Sequence, residues 1–159
     1  RDNKMISELV AREYEPITSD HVKLGSGVWC EDKAGAGEIS GQSIVEYLGK
    51  RDRFDQAVGQ GWFVIAVNCS ALDLLDPGQL AVLKSLDGKL LSIGPVKFEY
   101  DVVDTYGFYS AWSEEIDARY LIIRPDFYVA ASAKTPAELS LCFDRVMSML
   151  KLEKKTKVE

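Results

Sequence analysis

The sequence predicts a single α/β domain built on a mixed sheet. Three observations carry that expectation: an unbroken apolar run at Trp62–Val67, a proline-led hairpin at Arg124–Phe127, and a long apolar stripe from Leu139 to Leu150 at helical spacing. An all-apolar run of strand length belongs to a strand covered on both faces, and apolar positions three and four apart belong to a helix with one buried side. The chain has 159 residues, 47% of them hydrophobic and 28% charged. A chain of that size buries roughly 68–70% of its unfolded surface, so it needs neither disulfide nor metal to hold a core.

Residues 1–24 combine charges with few apolar positions, and Glu15-Pro16 stops any helix begun at Ile6–Leu9, so a short helix followed by a connector is expected. Gly25–Gly41 is glycine-rich and is expected to form a long surface loop. Gly35, Gly37 and Gly41 suggest a phosphate loop only superficially, because the GxGxxG spacing, the preceding apolar strand and a following GK[ST] are all missing. Lys50-Arg51-Arg53, broken by Asp52 and followed by Asp55, is expected at a solvated helix end. On this view everything before Trp62 is an N-terminal extension of the domain.

Trp62–Val67, bounded by Gly59-Gln60-Gly61 and Asn68, is the central parallel strand. Asp76 then caps a crossover helix with Pro77 in its first turn; Leu80, Leu83 and Leu86 repeat at helical spacing and Gly88 stops it. Leu90–Val103 is a second extended stretch, centred on Val96–Tyr100 and introduced by Gly94-Pro95. Tyr106–Glu115 forms a short helix. Tyr120–Ile123 and Tyr128–Ala131 are strands joined by Arg124-Pro125-Asp126-Phe127, where proline presets φ and aspartate bonds the turn backbone, giving an antiparallel hairpin. Thr135-Pro136-Ala137-Glu138 reads as a capping box before the last helix, whose stripe is Leu139, Cys142, Phe143, Val146, Met147 and Leu150. Leu141 and Met149 lie off the stripe, where they either widen the buried face or meet a partner. Residues 151–159 form a charged, frayed tail. A βαβ unit followed by ββα in about 90 residues is the thioredoxin-like architecture, spanning 25–150.

Composition narrows function. With 25 acidic against 19 basic residues the net charge is -6, which repels phosphate backbones and anionic membranes. No run approaches a membrane span, and the opening segment lacks the apolar core of a signal peptide, so a cytoplasmic protein without nucleic-acid or membrane partners is expected. Cys30, Cys69 and Cys142 form no CxxC pair, and the single histidine, His21, leaves too few ligands for zinc. His21 lies in the lead-in segment, remote from any nucleophile, and no GxSxG occurs. Glu31-Asp32 and Glu114-Glu115 are adjacent pairs whose side chains diverge, so they are solvated charges rather than catalytic dyads.

Cys69, in the turn after the central strand, occupies the place of a redox motif but stands alone, and no proline precedes Tyr120 to face it. Two readings stay open: a packed thiol, or a nucleophilic thiolate of a stand-alone thiol protein. A third reading is a binding module using the aromatic-rich segment 106–128. Core packing is the expectation for its rings, with Phe127 at the turn tip the exposed one.

Three stretches together resemble a known family: Gly59-x-Gly61-Trp62-Phe63-Val64-Ile65-Ala66, then Asp104-Thr105-Tyr106-Gly107-Phe108 with Trp112, then Leu121-Ile122-Ile123-Arg124-Pro125-Asp126-Phe127-Tyr128-Val129-Ala130. They resemble the C-terminal thioredoxin-like domain of FAD-dependent aromatic-ring hydroxylases, the phenol hydroxylase and 3-(3-hydroxyphenyl)propionate hydroxylase type of monooxygenase. The resemblance covers Gly25–Leu150, and Arg12-Glu13-Tyr14-Glu15-Pro16 looks like the connector leaving the flavin domain. It implies a non-catalytic domain with a scaffolding or dimer-contact role in an oxidoreductase. FAD, NAD(P)H and the phenolic substrate would be handled by an upstream module of the same polypeptide carrying a GxGxxG fingerprint that these residues lack, and the resemblance also implies a homodimer. No catalytic, cofactor-binding or metal residue carries over. Arg124, Pro125 and Asp126 carry over as structural turn residues, Cys69 is the thiol candidate, and Phe127, Leu141 and Met149 are candidate interface positions. The opening Arg1 and connector-like start lead to the expectation that the 159 residues are part of a longer chain.

Overall fold

A computed structural model of the chain describes residues 27–158, with side chains through residue 151. The helix and connector expected over residues 1–24, and His21, lie outside the described residues.

The organising element is β3 (Phe63–Val67), in which every residue is buried. Alternation along the strand divides the core into two layers. Trp62, Val64 and Ala66 join one cluster with Leu83, Leu139, Phe143 and Val146. Phe63, Ile65 and Val67 join the other with Phe54, Ile93, Leu121 and Tyr109. Successive residues of a strand face opposite sides, so an apolar residue at each position is what a two-sided core requires.

β3 pairs in parallel with β4 (Lys89–Gly94) and antiparallel with β6 (Tyr120–Ile123). β6 pairs antiparallel with β7 (Val129–Ala133), with a register irregularity at Ile122/Ile123. Between β3 and β4 runs α2 (Pro77–Ser85), and α4 (Pro136–Val158) follows β7. This is the expected βαβ plus ββα arrangement, with the strand order β4-β3-β6-β7 of a thioredoxin-like sheet.

The sheet is larger than expected. β1 (Ile44–Tyr47) and β2 (Lys50–Arg53) form a hairpin that joins it through β5 (Val102–Asp104), giving seven strands in the order β2-β1-β5-β4-β3-β6-β7. Residues 44–53 are thus part of the sheet rather than an extension before Trp62. Only Val45 of this hairpin is fully buried among its eight strand residues, so its sequence lacks the apolar signal that marks β3. Lys50, Arg51 and Arg53 lie on edge strand β2, where charges discourage pairing with another chain; of the three only Arg53 also stands at a helix end, directly before Phe54. The one-turn helix α1 (Phe54–Ala57) follows directly.

The glycine-rich segment is also ordered against the domain, not loose on its surface. It runs as a strap along the outer edge of β7. Cys30 N–H donates to Ala130 O at 2.7 Å, Gly37 N–H to Val129 O at 2.8 Å, Val129 N–H to Glu38 O at 2.8 Å, and Ser40 N–H to Phe127 O at 2.7 Å. Val28, Cys30 and Ala36 are buried, and Lys33–Glu138 (2.6 Å) and Arg145–Asp32 (2.8 Å) tie the strap to α4.

The second extended stretch is displaced from its expected centre. β4 ends at Gly94, and 95–101 is a loop before β5. Gly94 closes the strand because the Tyr100 ring lies where a Cβ would stand, so Gly94-Pro95 marks an exit. The helix expected from Tyr106 starts at Phe108 (α3, Phe108–Glu115). At the last helix Glu138 N–H donates to Thr135 Oγ1, but the Glu138 carboxylate takes Lys134 N–H and Lys33 instead of closing the box on Thr135. That helix continues to Val158 and so includes most of the expected tail. A complete box forms at α2: Gln79 N–H donates to Asp76 Oδ1 at 2.7 Å and Asp76 N–H to Gln79 Oε1 at 3.1 Å. Gln79 Nε2 then reaches Ser140 Oγ and Asp144 Oδ1, linking α2 to α4 through a buried polar contact.

The strap meets the body at Gly41, whose missing side chain makes room for the Phe108 ring, while its carbonyl accepts the buried Tyr109 hydroxyl at 3.0 Å. A methyl at this position has to displace an aromatic ring inside a packed cluster. Gly41→Ala is therefore expected to lower stability by about 1–3 kcal/mol, measured by urea unfolding, with an unchanged m-value.

Candidate functional site

Three local constructions carry the sequence motifs, and each is a piece of backbone engineering. The first is Asp104, at the end of β5 and 5% exposed. Its Oδ1 accepts Phe108 N–H at 3.1 Å; its Oδ2 accepts Tyr109 N–H at 3.0 Å and Ser110 N–H at 3.2 Å. These are the first donors of α3, which a helix cannot satisfy internally. Gly107, at φ +70°, makes the left-handed step into the helix. Burial pushes the Asp104 carboxyl above its usual range, against the opposing pull of these N–H bonds.

The helix thus anchored carries Phe108, Tyr109 and Trp112. Phe108 meets Tyr109 edge-on at 5.1 Å and Trp112 in a stack at 6.4 Å, while Phe54 meets Phe63 edge-on at 5.2 Å. The aromatic segment is therefore largely core, as its composition suggests.

The second construction is the β6–β7 turn. Phe127 N–H donates to Arg124 O at 2.9 Å and Arg124 N–H to Tyr128 O at 2.9 Å. Arg124 pairs with Asp126 Oδ2 at 2.6 Å, and Asp126 Oδ1 accepts Tyr128 N–H at 3.3 Å. Phe127 adopts φ +65° and packs half-buried against the second core layer, so it is not the exposed tip expected of it. Its carbonyl also accepts the Ser40 N–H of the strap. Arg124, Pro125 and Asp126 hold this hairpin end.

The third is the loop after β3. Cys69 is half-buried, packs on the first core layer and donates its thiol to Val67 O at 3.4 Å. It also faces the Tyr120 hydroxyl, which burial and then the Cys69 contact raise above the ordinary phenol range. The position before Tyr120 is Arg119, whose carbonyl accepts Val67 N–H at 2.8 Å. Cys30 and Cys142 are buried on the α4 side, and burial pushes both thiols up.

Glu114 and Glu115 are exposed, as expected; Asp32 is held low by the Arg145 guanidinium. Met149 is half-buried against the core, whereas Leu141 stands 68% exposed on α4. A shallow depression of about 270 Å³ lies between Ser113, Glu114, Asp117, Ala118, Arg119 and Lys134. Its Lys134–Asp117 pair, at 2.6 Å, is already matched and open to water, so it offers no desolvated charge for chemistry. Among the described residues no group of three His, Cys, Asp or Glu side chains is placed to hold a metal, and no helix is long and apolar enough to cross a membrane.

The glycines of the strap decide whether a phosphate or dinucleotide fits there. Gly37 is at φ +83°, and a Cβ on it meets the Trp29 ring at 2.8 Å; the space at Gly41 is taken by Phe108. A phosphate cradle needs that space open, with N–H groups pointing into it. Here the chain's own rings fill it, and Gly37 N–H is used by Val129 O. The strap glycines Gly37 and Gly41 therefore form no open phosphate cradle.

Residues 37–148 match the HcaD C-terminal domain family. The chain belongs to that family. The chain is 29% identical over 143 residues to a probable NADH-specific resorcinol 4-hydroxylase of Rhodococcus jostii (strain RHA1), covering 88% of this chain and 26% of that protein. Among solved structures, the flavin-dependent monooxygenase PieE in complex with FAD and substrate shares the fold, with a TM-score of 0.58 at 16% identity, over 81% of this chain and 25% of that one. The chain thus spans about a quarter of the length of the relatives it matches.

Sequence reasoning found the stretch Asp104–Phe108 without assigning the cap. An aspartate four residues before the start of an aromatic helix, with glycine between, is the signal for it. Asp104→Ala leaves buried N–H groups unpaired and is expected to lower stability by about 2–3 kcal/mol in denaturant unfolding. Because the folded carboxyl titrates above the unfolded value of about 3.9, its stabilising contribution is fully present below that pH and declines as pH rises through the folded value. The stability gap between wild type and Asp104→Asn should accordingly narrow from acid toward neutral pH.

Proposed function

We propose that this chain is the C-terminal, non-catalytic domain of a flavin-dependent aromatic hydroxylase, in which an upstream module of the same polypeptide holds FAD, uses NAD(P)H and hydroxylates a phenolic ring. The single observation that carries the reading is the family match over residues 37–148. The resorcinol 4-hydroxylase relative supplies the substrate class, a phenol, and the flavin-dependent neighbour supplies the cofactor. The glycine sites filled by Trp29 and Phe108 agree with FAD being held elsewhere. On this reading the 1–24 segment is the connector, the domain begins near Gly25, and the protein works in the cytoplasm.

The role left to the domain is scaffolding and dimer contact. Leu141 supports the second part: it projects from α4 away from the Leu139–Cys142–Val146 stripe and is 68% exposed in an otherwise ordinary amphipathic helix.

Two measurements test the reading. The polypeptide encoded by the full reading frame should purify yellow with bound flavin and oxidise NAD(P)H in response to phenols, while the 159-residue chain should retain no flavin. A frame without an upstream flavin fingerprint, or flavin bound by the 159 residues alone, defeats it. For the dimer role, Leu141→Glu should shift the full polypeptide toward monomer in sedimentation without lowering the melting midpoint of the domain, since an exposed side chain contributes little to folding.

A further inference from the structure

The largest apolar exposure of the domain is not on α4. Phe98 is 93% exposed and Leu48 86% exposed, with Val96 at 45% nearby in sequence. These residues come from two elements, the β1–β2 turn and the β4–β5 loop, that the sheet brings to one corner: Tyr47, just before Leu48, pairs with Val102, just after the loop.

The corner is rigidly built for something so exposed. Lys97 Nζ bonds Glu46 Oε1 of β1 at 2.8 Å and lies 5.4 Å over the Phe98 ring. Asp101 Oδ2 accepts both Ser92 N–H (2.8 Å) and Ser92 Oγ–H (3.0 Å), and Ser92 Oγ accepts Asp101 N–H at 3.1 Å, which locks the loop's return to β4. Tyr100 fills the space over Gly94. Leu48 and Phe98 both stand at positive φ, +49° and +69°, a conformation that is unfavourable for side chains of this kind. Large apolar side chains left exposed on a hydrogen-bonded loop and turn suit a contact that buries them.

We infer that the corner formed by Leu48, Val96 and Phe98 is the docking surface for the flavin module of the same polypeptide. The inference rests on the function proposed above and names the surface it uses. The occupant follows from length: about three-quarters of each matched relative lies outside the part this chain covers, and the matching family is a C-terminal domain, so a larger folded body accompanies it. Domains of one chain meet through modest interfaces, for which two or three anchoring side chains suffice. Leu72 and Leu141 are also strongly exposed, but each comes from a single element, whereas this corner gathers exposed side chains from two.

Hydrogen–deuterium exchange compares the full polypeptide with the 159-residue chain. Amides of 46–50 and 96–101 should exchange at least about tenfold more slowly in the full polypeptide. Leu48→Ser/Phe98→Ser should abolish that difference while leaving the melting midpoint of the 159-residue chain unchanged, which separates lost docking from lost folding. Equal exchange in the two proteins overturns the inference while the proposed function stands, provided the full polypeptide carries flavin. A full reading frame without a flavin module overturns both. Protection that appears in the 159-residue chain with rising concentration, and is lost in the double variant, identifies a second copy as the occupant and overturns it as well.

Discussion

β3 has apolar neighbours on both faces, and everything else in the domain is arranged to provide them. Phe63, Ile65 and Val67 need a layer on one side; Trp62, Val64 and Ala66 need one on the other. A five-residue strand buried throughout gains about 1.5–3 kcal/mol from each large side chain covered, but only if both covers exist. Helices α2 and α4 make the first cover. The second is made by α3 with Phe54 and the β1 and β5 strands, so α3 must be held firmly, and Asp104 does so by accepting three of its leading N–H groups. The Asp104 cap is thus a condition of the second layer, and the hairpin 44–53 completes it.

What could be read in the sequence follows from that logic. β3, β6, α2 and α4 carry patterns set by burial on two faces or on one helical stripe, and they stand where those patterns place them. The β1–β2 hairpin is invisible because an edge strand such as Lys50-Arg51-Asp52-Arg53 is written in charges that serve to keep other chains away, a pattern that equally suits a helix end. The strap misleads in the same manner. Its glycines signal mobility in isolation, whereas in the fold they are the places where Trp29 and Phe108 lie against backbone, a tertiary relation no local pattern contains. Phe127 was expected outside because turns are exposed, yet a left-handed residue beside a proline turn can aim its ring inward.

The chemistry of the chain is legible in the same terms. Among the described residues Asp104 caps a helix, Asp101 ties β4 to its following loop, Glu138 pairs with Lys33, and the three thiols sit in apolar packing or donate to a carbonyl. Motif residues that look functional because they are unusual, such as Asp104, Gly107 and Arg124, are unusual because backbone at those points demands them.

The strap has a mechanical consequence. Chain preceding residue 27 is connected to the body through a segment bonded lengthwise along β7 and clipped by Lys33 and Asp32 to Glu138 and Arg145 of α4. Tension arriving from that direction is therefore spread over several backbone bonds and two ion pairs, and reaches the sheet's rim and its longest helix before β3. The central strand is thereby shielded from displacement at the strap.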